Sequence, residues 1–145
     1  MGNNEVTGIN RGGTLPVSAD VIAGALLTLL GLAHLFVLEV GGMVGGALLL
    51  VVWPFIAGVV AAVVDPHFGH DNDPRLLGAI AGVFGAVAIV ILILITGWLG
   101  LWSGFIFDTF GVDLATVTIG TAILFALTWT VFGFVGAFLA SKALE

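Results

Sequence analysis

Four long apolar runs, Val21 to Leu38, Met43 to Val64, Leu76 to Leu101 and Val117 to Ala140, take up most of this 145-residue chain, and none contains a lysine or an arginine. An apolar stretch of about 20 residues rises about 30 Å as a helix, which is the hydrocarbon thickness of a bilayer. A soluble core helix is usually shorter and carries a polar face. These runs have no such face. The bilayer interior offers no water to backbone N–H and C=O groups, so each run must close its own hydrogen bonds, and an α-helix does so locally. The fold class that follows is an all-α membrane protein. Its four transmembrane helices, about 21–38, 43–64, 76–102 and 117–141, form two hairpins in one domain over 19–142, held by Gly/Ala-mediated packing.

Composition narrows the function classes. Charged residues make up 8% of the chain and the mean hydropathy is +1.27, against roughly 25% charged residues in soluble domains. Without cysteine there is no disulfide, thiolate metal site or cysteine nucleophile. Three basic residues against a net charge of −6 leave no basic patch for nucleic acid or anionic lipid headgroups. The partner the composition demands is the lipid bilayer.

Residues 1–18 are polar and rich in Gly, Asn, Ser and Thr, and they are expected to be a flexible tail. The first apolar run is full-length and continues into a second, so it is expected to be retained rather than cleaved as a signal. The opening Met1-Gly2 falls short of a myristoylation pattern, since Val6 stands where Ser or Thr belongs. Ser18 or Asp20 supplies a cap for the first helix. Glu39-Val40-Gly41-Gly42 breaks it into a tight hairpin, and Pro54 should kink the second helix near Val51 to Trp53. Asp65 to Arg75, with two prolines, reads as a loop outside the membrane. Trp98 and Trp102 suit the headgroup region, and the Phe-rich stretch 103–115 is expected to lie along the interface. Arg11, Arg75 and Lys142 all fall on one side of four spans. The positive-inside rule therefore puts both termini and the 65–75 loop in the cytoplasm of a multi-pass cell-membrane protein.

Small residues recur at four-residue spacing: Gly41 with Gly45, Gly78 with Gly82, Gly133 with Ala137, and Gly136 with Ala140. In lipid no hydrophobic drive brings helices together, so the close approach that small residues allow becomes the main source of packing energy. Gly41, Gly45, Gly78, Gly82, Gly133 and Gly136 are the expected helix-packing positions, within one chain or in a homo-oligomer. The segments Gly24 to Gly31 and Gly78 to Gly85 also echo one another, as a parallel duplication of two hairpins would.

His34 is the one ionisable side chain deep in a span, and an intramembrane titratable group marks a candidate site. Its bland reading is a neutral ring bonded to a nearby carbonyl or to Thr28, Thr96, Thr128 or Thr130. In the acidic loop, His67, His70 and Asp71 are weak candidates for a metal, because imidazole and carboxylate suit zinc, nickel or manganese. The run after Asp71 lacks the glycine and glutamate of a calcium loop, so a solvated linker is the favoured reading and no metal or other cofactor is expected. No phosphate loop, serine elbow or zinc-protease motif is present, and Ser103-Gly104 has no base beside it. The chain is expected not to be an enzyme.

Pro54-Phe55-Ile56-Ala57-Gly58, the acidic loop, Arg75-Leu76-Leu77-Gly78-Ala79-Ile80-Ala81-Gly82 and the ending from Gly133 to Lys142 resemble small four-span membrane proteins of halophilic archaea, grouped as a domain of unknown function. The scarcity of lysine beside acidic loops is similar to halophile usage. The resemblance implies a cell-membrane location and no assigned chemistry, and the Phe-rich segment after Trp102 departs from it. Membrane proteins of pleomorphic archaeal viruses are similar in size and span count. Three readings follow: a structural or assembly component that binds itself or another membrane protein, a small oligomeric channel or transporter, and an enzyme. The lack of a midspan carboxylate or arginine favours the first.

Overall fold

The structure, a computed structural model, describes residues 18–38, 40–67, 73–99 and 114–145. Among them it is all-helical, with four helices long and apolar enough to cross a membrane. Helix α1 comprises Ala19–Ala33 and a wider π-helical turn, His34–Leu38. Helix α2, residues 42–67, runs through Gly42–Ala47, a second π-helical stretch Leu48–Val52, and Trp53–His67. Helices α3, Pro74–Trp98, and α4, Leu114–Ala143, are α-helical throughout.

The helix ends follow local chemistry. Gly42, at φ +67°, takes the left-handed conformation that lets the chain reverse between α1 and α2. Asp73 caps α3, accepting the Arg75 N–H at 3.0 Å, and Pro74 occupies the first turn, where its missing N–H costs nothing. That is why α3 begins two residues before the expected start. Helix α2 likewise passes the expected end at Val64 and continues to His67, so Asp65 is a buried helical residue and not part of a loop. Pro66 in the last turn withdraws a single donor from a ladder about to end. Ser18 stands at the N-cap of α1, but its hydroxyl turns to the Asp20 carboxylate and makes no capping bond. Residues 100–113, with Trp102 and most of the expected interfacial stretch, lie outside the described residues.

The bundle is held by glycine. A Cβ on Gly82 would run into the Trp129 carbonyl, one on Gly78 into that of Gly133, and one on Gly133 into that of Gly78, so α3 and α4 pack antiparallel, backbone against backbone. Gly58 of α2 meets the Gly133 carbonyl and the Ala137 nitrogen, and Gly136 of α4 meets the Phe55 carbonyl. Helix α4 is thereby seated against both α2 and α3. Helices α1 and α3 run side by side in one direction, Gly24 beneath Phe84, Leu27 over Gly85 and Gly31 against Ile89. Of the echoed glycines, Gly31 and Gly85 both serve the α1–α3 contact, whereas Gly24 faces α3 and its counterpart Gly78 faces α4.

Candidate functional site

The polar centre of the molecule is built where the two π-helical turns meet. Trp53, the first residue after the second π turn, sends its backbone N–H to the Leu48 carbonyl, five residues back. This takes from the Leu49 carbonyl the donor an α-helix would supply. The next residue along, Pro54, has no N–H to give. Where a kink at Pro54 is expected, the helix carries a π turn immediately before it, a common way for a helix to absorb a local fault.

The Leu49 carbonyl is satisfied from another helix. The indole Nε1 of Trp129 donates to it at 2.8 Å. Trp129 is fully buried and stacks on Phe125, with ring centroids 4.6 Å apart and planes 10° from parallel. Its ring edge occupies the space left by Gly31 of α1, and its own carbonyl lies against Gly82 of α3. One α4 residue thus meets all three other helices, α1 and α2 through its ring and α3 through its backbone. Sequence reasoning missed it, although a tryptophan near the middle of a span, away from the interfaces where indoles collect, was the available signal.

His34 closes the α1 end of this region. It is 1% exposed. Trp53 Nε1 donates to His34 Nδ1 at 3.1 Å, and Nε2 lies 2.9 Å from the Val40 carbonyl. An indole nitrogen can only donate, so Nδ1 accepts and the ring proton sits on Nε2, which donates to Val40. Both nitrogens are used by a neutral imidazole. The partners are a carbonyl and a tryptophan, not threonines: Thr28, Thr96 and Thr128 bond back to the carbonyls of Gly24, Leu92 and Leu124 in their own helices. Gly45 makes the arrangement possible, since a Cβ there would strike the Val40 carbonyl and come within 3.5 Å of His34 Nε2. Gly45 thus serves the α1–α2 turn rather than a contact with α3 or α4. A cavity of about 280 Å³ opens beside it, lined by His34, Val40, Gly41, Leu49, Leu124 and Phe125 among others.

Of the remaining candidates, Gly78, Gly82, Gly133 and Gly136 sit in the interhelical contacts described above. Gly41 stands at the N-cap of α2. His70 and Asp71 lie outside the described residues, as does the side chain of His67. Among the described residues no group of three or more metal-binding side chains converges. Comparison with protein-family models, curated proteins and solved structures finds no match.

Proposed function

We propose that this four-helix chain is a structural or assembly component of a cell membrane, acting by packing against itself or another membrane protein rather than by conducting a solute. The observation that carries this reading is Trp129, a fully buried residue inside the bundle whose ring bonds to α2 and packs on Gly31 of α1 while its backbone carbonyl lies against Gly82 of α3. A conducting path through one chain would have to displace it. The polar groups beside it are matched to one another, as in a fixed clasp: the Leu49 carbonyl with Trp129, and His34 with Trp53 and Val40.

The outer surface supports the assembly half of the reading. Gly120, exposed on α4, has open space where a Cβ would stand, so a small residue remains there for a contact beyond the chain. Arg75 and Lys142 lie together at one end of the bundle, which we take as its cytoplasmic end under the positive-inside rule. The halophile-like scarcity of lysine agrees with an archaeal cell membrane or viral envelope.

Ion and solute flux in reconstituted vesicles tests the proposal. Flux at the level of protein-free vesicles is expected. Flux above that level, lost on Gly120→Leu, would replace this reading with an oligomeric channel.

A further inference from the structure

The glycine contacts between α3 and α4 have a consequence at the end of the bundle. Gly78 lies about one turn into α3 and Ala137 less than two turns before the end of α4, and their close approach draws the two helix termini together. Between the termini lies a pocket of about 290 Å³, lined by Asp73, Pro74, Arg75, Phe138, Ser141, Lys142 and Glu145. A chain with only three basic residues thus brings two of them to one concave site at the boundary of its apolar spans.

Each cation has capacity to spare. Arg75 gives Nε–H and one Nη2 proton to Asp73, at 3.1 and 3.0 Å, and a guanidinium carries five protons. Three remain. The Lys142 ammonium stands 3.6 Å from Glu145 Oε1, beyond ordinary hydrogen-bond reach, and 5.9 Å from the centre of the Phe138 ring. All four charged side chains are about half exposed or more. The pocket therefore offers cations for a phosphate, carboxylates for donor groups beside that phosphate, and an aromatic face toward the apolar span.

We propose that this pocket binds the headgroup of one membrane phospholipid, its phosphate on Arg75 and Lys142 and its hydroxyl or ammonium donors on Asp73 and Glu145. Isolated basic residues in sequence form no patch, but two from antiparallel helix ends form a single-lipid site. The proposal stands apart from the assembly reading, since it concerns a different end of the molecule and a different readout.

The test is native mass spectrometry of the protein released from vesicles of equal phosphatidylglycerol, which has donor hydroxyls beside its phosphate, and phosphatidylcholine, which has none. One phosphatidylglycerol is expected to remain bound in preference to phosphatidylcholine. Lys142→Gln should reduce its retention about fivefold, and Lys142→Arg should restore it. Lys142 is exposed, so the variant leaves the packed helices intact; Arg75→Gln, which also disturbs the Asp73 cap, serves as a second variant. Equal retention of the two lipids, or no change in Lys142→Gln, would overturn the proposal. Displacement of the lipid by free glycerol phosphate would overturn its assignment to a membrane lipid.

Discussion

At the scale of single residues, the glycines divide by what stands opposite them. Gly82 faces the Trp129 carbonyl and the Thr130 backbone, which cannot swing aside as a side chain tip can. Gly46 faces open space. Gly82→Ala should therefore force α3 and α4 apart and destabilise the bundle by about 1–3 kcal/mol, the usual cost of overpacking. Gly46→Ala should be near neutral. Steric-trap unfolding in micelles measures both, and equal losses would show that the backbone contact does not decide stability. Four-residue spacing alone could not make this distinction. It marked Gly45 and Gly82 alike, but Gly45 spares the Val40 carbonyl and the His34 ring within the α1–α2 hairpin, whereas Gly82 spares a neighbouring helix. Spacing tells where a helix is thin; only the fold tells what approaches.

At the scale of elements, α2 shows how a fault in one helix is repaired by another. Pro54 was readable as a fault, but not its consequence, because the Leu49 carbonyl finds its donor 80 residues away on Trp129. Trp129→Phe keeps an aromatic ring but loses the pyrrole half with its donor, leaving a buried carbonyl unsatisfied at a cost of about 1–3 kcal/mol in addition to the cavity left by the smaller ring. In the π register residue 54 faces the carbonyl of residue 49, so Pro54→Ala would supply a backbone N–H to that same oxygen. The Trp129→Phe loss should then be smaller in a Pro54→Ala background, and a double-mutant cycle reads the coupling. Additive losses would sink the account. The start of α3 offers a pH test. The Arg75 side chain, and next its backbone N–H, hold the Asp73 carboxyl below the ordinary carboxylate range. A lowered folded-state value means the cap contributes fully above the usual aspartate pKa of about 3.9 and is lost as pH falls through the lower folded value. Because Asp73 is exposed, the effect is local: amide exchange at Leu76 and Leu77, corrected for intrinsic pH dependence, should lose protection only in that acid range. Protection unchanged by acid, or already lost near neutrality, would contradict the cap.

At the scale of the whole molecule, four spans were legible because each apolar run is long enough to cross a bilayer, and length and hydropathy are properties of sequence alone. Which helices touch was not legible, since an apolar run faces lipid and protein with the same residues. Leu29 and Leu127 are as apolar as Leu27 and Ile89, yet the first two are exposed and the last two buried. Exposure of such side chains implies no partner, because lipid tails solvate them as well as another helix would. Shape discriminates where polarity does not: a glycine with open space admits a second backbone, and Gly120 on the outer face of α4 is one. If the chain assembles through that face, native mass spectrometry in lipid nanodiscs should find an oligomer that Gly120→Leu reduces to monomer, with helix content and thermal unfolding unchanged. Gly82→Leu, placed inside the bundle, should instead lower the unfolding temperature along with any association. A wild-type chain that is monomeric at every protein-to-lipid ratio would remove self-assembly and leave a different membrane protein as the partner for the open face at Gly120.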